Sequence, residues 1–200
     1  MQWILPLLLG YALGSVPFGL LLTRVFGAGD LRAIGSGNIG ATNVLRTGRK
    51  GLAAATLVLD LLKGLVAVLL AGAIWPEMSS PEATSIAAIG AFVGHCFPVW
   101  LRFRGGKGVA TTAGIGFALG WPIGLAYAVT WIGLLVLVRI SSIAGMSAAV
   151  VAPLVAFGTG HREYGIVLAV IAVLVLFQHR ENISRLLSGT EPKIGSGKKA

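Results

Sequence analysis

Apolar residues run in long unbroken stretches along this chain, at about residues 3–23, 52–75, 84–101, 109–120, 122–138, 143–158 and 164–178, with polar residues collected between them. Runs of this kind predict membrane-spanning helices. The stretch from Val109 to Val138 has to be cut, because 30 helical residues would reach about 45 Å against a hydrocarbon core of about 30 Å. Gly120-Trp121-Pro122 is the natural break. The pieces it leaves, and the last two runs, fall short of the ~20 residues of a full span, which predicts tilted, partly embedded or hairpin-paired helices. The expected fold class is all-α, a polytopic integral membrane protein of about seven transmembrane helices. Five spans with fused hairpins are the alternative.

Composition points the same way. With 56% hydrophobic residues, 12% charged residues and a mean hydropathy of +0.86, the chain is too apolar for a soluble domain of 200 residues. The first run does not read as a signal peptide, since Met1 and Gln2 offer no basic segment and Arg24 follows the run. Basic residues after that run put the amino terminus outside and the first loop in the cytoplasm. Seven spans then place 14 of the 16 basic residues on the inner side: Arg24, Arg32, Arg46, Arg49, Lys50, Arg102, Arg104, Lys107, Arg139, Arg180, Arg185, Lys193, Lys198 and Lys199. Only Arg162 falls outside and Lys63 within a span, and the carboxyl terminus is cytoplasmic.

The net charge of +9 is therefore explained by topology and calls for no nucleic acid. A single Cys96 and three scattered histidines give neither an internal disulfide nor a metal site of usual spacing, so no metal or cofactor is expected. The 29 glycines are spread through the spans, where small residues let helices approach closely. No repeat and no inverted halves are visible. Residues 1–191 read as one transmembrane domain, and the basic tail 192–200 as disordered and without chemistry.

Four polar clusters share the predicted cytoplasmic side: Gly35 to Lys50, Arg102 to Thr112, Arg139 to Ser142, and His179 to Glu191. Topology alone would put Lys and Arg into plain linkers, whereas these loops also concentrate Gly, Ser, Thr, Asn and His, as binding requires. In the first, Gly35, Ser36, Gly37, Asn38, Gly40, Thr42 and Asn43 precede Arg46, Arg49 and Lys50, a flexible, donor-rich backbone suited to phosphate. Gly35, Gly37 and Gly40 match G-x-G-x-x-G, with Asp60 placed 20 residues on, but a transmembrane run precedes them where a dinucleotide fold needs a strand. In the second, Lys107 lies between Gly106 and Gly108 at a predicted helix start, where amides, helix dipole and ammonium converge on an anion. It is not a Walker A loop, because Gly follows the Lys.

Asp60 and Lys63 lie three apart within the second span and are expected to pair, either structurally or to orient the first loop. His95 reads by default as a packed, hydrogen-bonded histidine, with a direct role as the alternative. His179 and Asn182 share one helical face beside Arg180, Arg185 and Glu191, a segment able to bind or move protons or simply to lie amphipathic at the interface. Ser142 either reaches the same region or caps the next helix.

Three long motifs in order, Gly-Ser-Gly-Asn-Ile-Gly-Ala-Thr-Asn from Gly35, His-Cys-Phe-Pro-Val-Trp-Leu-Arg-Phe-Arg-Gly-Gly-Lys-Gly-Val-Ala-Thr from His95, and His-Arg-Glu-Asn-Ile-Ser-Arg-Leu-Leu-Ser-Gly-Thr-Glu from His179, resemble the bacterial PlsY family of acyl-phosphate:glycerol-3-phosphate acyltransferases. Gly14-Ser15-Val16-Pro17-Phe18-Gly19 adds to the resemblance, which runs from the first span to Glu191. It implies transfer of a fatty acyl group from acyl phosphate to the 1-hydroxyl of glycerol 3-phosphate, giving lysophosphatidic acid and inorganic phosphate as the start of phospholipid synthesis. It also implies a bacterial inner-membrane location, an active site facing the cytoplasm and a functional link to the enzyme that forms acyl phosphate.

On this resemblance Ser36, Arg46, Lys107, His179 and Asn182 are expected to orient glycerol 3-phosphate. Gly37, Asn38, Thr42, Asn43 and the Gly105-Gly106-Lys107-Gly108 loop would line the acyl-phosphate site, with Arg104, Thr111 and Arg185 as further substrate contacts and with His179, Asn182, Lys107 and Ser142 as the expected catalytic residues. His179 is the obvious general base, whereas the resemblance suggests that the substrate's own phosphate takes the proton. A transporter of a small phosphorylated solute is the rival class and predicts polar groups at the bilayer midplane and repeated halves. A lipid-binding scaffold is the third.

Overall fold

The structure, a computed structural model, describes residues 3–78 and 80–195. Among the described residues there are helices and no strands. The helices are α1 (Ile4–Gly14), α2 (Phe18–Val25), α3 (Ala41–Leu45), α4 (Lys50–Ile74), α5 (Ser80–Cys96), α6 (Val109–Leu119), α7 (Trp121–Val138), α8 (Ser141–Gly158), α9 (Arg162–Gln178) and α10 (Arg180–Leu187). Every apolar run is helical over most of its length. Five spans are long and apolar enough to cross a membrane by themselves, at residues 4–25, 50–74, 81–101, 121–138 and 141–158, and a sixth forms if α9 and α10, bent by 59° at His179, are taken together. The chain is thus an all-helical integral membrane protein in which α6, at 11 residues, is too short to cross.

The first run, expected as one helix, is broken at Ser15-Val16-Pro17. Pro17 supplies no N–H for the carbonyl of Leu13 and forces the preceding residue out of the helical region, so the helix ends there and the carbonyl of Val16 accepts from the Phe18 amide at 3.1 Å. The Nζ of Lys63 on α4 donates to that carbonyl at 2.8 Å and pairs with the Asp60 carboxylate at 2.7 Å. The expected Asp60–Lys63 pair therefore forms, and its ammonium also closes the break in the neighbouring span.

α1 packs on α5 through small residues from both sides. A methyl group on Gly10 or Gly14 would lie 2.3 or 2.1 Å from the carbonyl oxygens of Ala87 and Ala91, and one on Gly90 or Gly94 would lie 2.4 or 2.3 Å from those of Leu7 and Tyr11. Two G-x-x-x-G faces thus bring the backbones into contact. α4 and α6 meet similarly at Gly64 and Gly114. The core is accordingly built largely of alanine, with Phe92, Ile115, Ile123, Tyr127, Leu168 and Ile171 as its large buried members.

The expected break at Gly120-Trp121-Pro122 makes α6 and α7 a hairpin, with Pro122 in the first turn of α7 where its missing N–H costs nothing. The Tyr127 hydroxyl donates to the carbonyl of Val109 at 2.9 Å and sets the register of the hairpin. α7 has 18 residues and α6 has 11, so the last two turns of α7, about 10 Å, run on past the start of α6. That mismatch leaves a space under α6, flanked by the first turns of α4 and α8.

Gly94→Leu should force α1 and α5 apart and lower the melting temperature in detergent by more than about 5 °C. Gly133→Ala, where a methyl group meets nothing within 4 Å, should leave it unchanged; equal melting of the two variants would contradict the close packing.

Candidate active site

The space under α6 is a cavity of about 830 Å³. α3 and its preceding loop, the start of α4, the Lys107 loop, the starts of α6 and α8, α10 and the segment after it all contribute walls. Eleven of the sixteen expected site residues line it: Ser36, Asn38, Thr42, Asn43, Arg46, Lys107, Gly108, Ser142, His179, Asn182 and Arg185. Four polar clusters far apart in sequence therefore meet in one place.

A hydrogen-bonded chain ties the far wall together. Lys107 Nζ donates to Asn182 Oδ1, and Asn182 Nδ2 donates to Glu191 Oε1 at 2.5 Å. The same carboxylate accepts from Ser142 Oγ at 2.6 Å and from Arg185 Nε at 2.7 Å. Burial works to raise the Glu191 pKa, but the donors Ser142, Asn182 and Arg185 outweigh it and hold the carboxyl below its usual value. Burial lowers the pKa of Lys107, helped by the nearby Arg185 guanidinium, while Glu181 and Glu191 oppose the shift.

His179 sits at the bend between α9 and α10 and is buried. Its Nδ1 lies 2.8 Å from the carbonyl of Val175. A carbonyl only accepts, so Nδ1 carries the proton and, in the neutral ring, Nε2 is left as an acceptor.

The near wall is held by Asn43. Its Nδ2 donates to the carbonyls of Leu31, Ile34 and Asn38 at 2.8–2.9 Å, and its Oδ1 accepts the amide of Ser36 at 3.3 Å. Although Asn43 borders the cavity, its polar atoms hold the loop that carries Ser36 and Asn38. The guanidinium of Arg46 lies over Gly35, where a methyl group would come within 2.5 Å of Nη1, and Gly35 has a φ of 55° that glycine adopts without strain. Thr42 Oγ1 is 3.0 Å from Ser141 Oγ and joins α3 to α8.

Five expected site residues lie elsewhere. The amides of Gly105 and Gly106 donate to the carbonyls of Cys96 and His95, both at 3.0 Å, so they shape the loop and present no N–H to an anion. Gly37 closes a turn by donating to Ile34 at 2.9 Å. Arg104 is exposed. Thr111 is buried against α4, with its carbonyl facing Gly64.

Two groups of lining residues escaped prediction as site residues. Glu191 was grouped with the last polar segment, yet nothing in its local sequence marked it as the acceptor of three donors. The tail was expected to stand apart, but Pro192, Lys193, Ile194 and Gly195 border the cavity. Ile194 donates its amide to the Arg139 carbonyl at 2.7 Å and accepts from Arg139 Nη2 at 3.0 Å. Residues 196–200, the rest of the expected disordered tail, lie outside the described residues. The cavity also has an apolar side, formed by Leu57, Val109, Ala110 and Trp131.

The chain is similar to known proteins in sequence and in fold. Residues 4–189 match the family model of glycerol-3-phosphate acyltransferase. A protein of that description from Novosphingobium aromaticivorans is 67% identical over 197 residues, covering 98% of each chain. One from Erythrobacter litoralis is 59% identical over 189 residues, covering 94% of this chain and 93% of its own. In structure the chain is similar to PlsY, an integral membrane glycerol 3-phosphate acyltransferase, in its glycerol 3-phosphate form, with a TM-score of 0.89, 34% identity and coverage of 98% and 97%. The lysophosphatidic acid form gives 0.88 at 33% identity and the same coverage.

Asn43→Ala should free the loop before α3, because three carbonyls and one amide lose their partner together. Limited trypsin digestion should then cut faster at Arg32 and Arg46, and an unchanged rate would contradict the bracing role.

Proposed function

This chain belongs to the glycerol-3-phosphate acyltransferase family of the PlsY type and is an integral membrane acyltransferase, and from that premise we propose that acyl phosphate is its donor and the cavity under α6 its active site. The reading rests on one observation: a single cavity joins a wall of cations and hydrogen-bond groups to an apolar side. A fatty acyl phosphate and glycerol 3-phosphate need that combination. The acceptor phosphate lies against Arg46 and Lys107, with Ser36 and Asn182 in hydrogen-bond reach, and the acyl chain leaves along Leu57, Val109 and Trp131 between the helices. Holding two phosphates close together offsets their repulsion and places the hydroxyl beside the acyl carbon.

In the reaction the 1-hydroxyl oxygen of glycerol 3-phosphate attacks the acyl carbonyl carbon and forms the ester bond. The bond from that carbon to the phosphate oxygen breaks, and inorganic phosphate leaves with the electron pair. The hydroxyl proton passes to the acceptor's own phosphate. Charge that develops on the carbonyl oxygen and the leaving phosphate is met by Lys107 and the amides at the start of α6. His179, with its Nδ1–H already donated to Val175, offers Nε2 as an acceptor for the 2-hydroxyl and so orients glycerol 3-phosphate, leaving the proton of the 1-hydroxyl free to pass to the phosphate. The polar end of the bundle, which carries most of the basic residues, faces the cytoplasm of a bacterial inner membrane. There the product, lysophosphatidic acid, feeds phospholipid synthesis, and an enzyme that forms acyl phosphate supplies the donor.

Purified protein in detergent, given acyl phosphate and glycerol 3-phosphate, should release inorganic phosphate and form lysophosphatidic acid. Product from another activated acyl donor but none from acyl phosphate would overturn the donor assignment. His179→Gln should weaken glycerol 3-phosphate binding while keeping the normal pH dependence of the remaining turnover. Unchanged affinity with lost turnover and an altered pH profile would instead make His179 the base.

A further inference from the structure

The cavity reaches below the residues so far given a role, to Asp60 and His95. Both are buried, and neither belongs to the chain of bonds around Glu191. What His95 touches is the loop that carries Lys107, and Asp60 lies behind it. After α5 the chain turns back sharply: Arg102 and Phe103 adopt left-handed φ values of 52° and 61°, an unfavourable geometry for side-chain-bearing residues that persists only where the surroundings enforce it. The returning segment then lies along the end of α5, with Gly105 and Gly106 donating to the carbonyls of Cys96 and His95.

The His95 ring completes the clamp. A methyl group on Gly106 would sit 2.1 Å from His95 Nε2, so the imidazole lies directly on the backbone one residue before Lys107. Behind the ring, Nδ1 is 3.8 Å from Asp60 Oδ1, beyond hydrogen-bond length but close enough for the carboxylate to favour the N–H facing it. Asp60 is in turn fixed by Lys63 at 2.7 Å, and Lys63 by the Val16 carbonyl at 2.8 Å. A buried series, electrostatic and not hydrogen-bonded at its Asp60–His95 step, therefore runs from the break in the first span, through α4 and α5, to the backbone beside Lys107.

We propose that His95, oriented by the Asp60–Lys63 pair, is a positioning residue that sets where the Lys107 ammonium meets the acceptor phosphate. The inference rests on the proposed placing of that phosphate against Lys107 and Arg46. His95 does not touch the reacting atoms; it acts by fixing the path of Gly105 and Gly106. The glycines follow from this role, because a side chain at Gly106 would collide with the ring and one at Gly105 would lie 2.1 Å from the His95 carbonyl.

The test compares steady-state kinetics of His95→Ala, His95→Gln, Asp60→Asn/Lys63→Met and Arg46→Ala in detergent, each with its melting temperature. The paired replacement removes both buried charges at once and avoids leaving one uncompensated. His95→Ala should raise the KM for glycerol 3-phosphate roughly tenfold through displacement of Lys107, with a smaller change in kcat. His95→Gln, which keeps a planar hydrogen-bonding group on the loop, should recover most of the loss. The paired replacement should also raise that KM. A His95→Ala protein that melts lower but keeps the wild-type KM would overturn the proposal, as would one that loses kcat alone. If Arg46→Ala also leaves the KM unchanged, the placing of the phosphate is wrong. If Arg46→Ala raises it and the His95 variants do not, only the positioning role fails.

Discussion

An ammonium withdrawn from water needs partners, and the partners of Lys107 hold this end of the molecule together. Its bond to Asn182, and that of Asn182 to Glu191, join the loop before α6 to α10 and to the segment beyond it. Glu191 then recruits Ser142 from α8 and Arg185 from α10. Removing one partner from such a network leaves the others buried and unpaired, which costs more than a single bond is worth. The site and the local fold are stabilised by the same contacts.

The helix lengths make room for this network. α6 is too short to cross, and the space beneath it, beside the longer α7, is where polar groups from four parts of the chain converge. Elsewhere the bundle closes through glycine and alanine, so the opening under α6 is not filled by sliding helices. The deep charges, Asp60 and Lys63, form an ion pair, and Lys63 also donates to Val16. This one-ended arrangement suits an enzyme whose lipid substrate lies in one leaflet and whose second substrate is a soluble anion.

The sequence made the helices legible because membrane spans are long and apolar, and the α6–α7 turn because Gly-Trp-Pro interrupts them. Most of the cavity wall was legible too, since Ser36, Arg46, Lys107, His179 and Asn182 stand out against apolar surroundings. The break at Pro17 lay hidden in a run whose hydropathy never falls, for a backbone carbonyl satisfied from another helix leaves no local mark. Gly105 and Gly106 read as an anion nest, whereas their amides are committed to carbonyls nine and eleven residues earlier in sequence. Asn43 read as a substrate contact and is a loop brace. Glu191 and Ile194 were missed for a related reason: their importance lies in partners on α8, α10 and the α7–α8 turn.

The central claim is that Lys107 stands where the substrates' phosphates meet. The most direct test is turnover of acyl phosphate and glycerol 3-phosphate by Lys107→Ala, with folding checked by its melting temperature. The account predicts a folded protein whose kcat/KM falls by about 10²–10³, and a folded Lys107→Ala enzyme with full activity would contradict it.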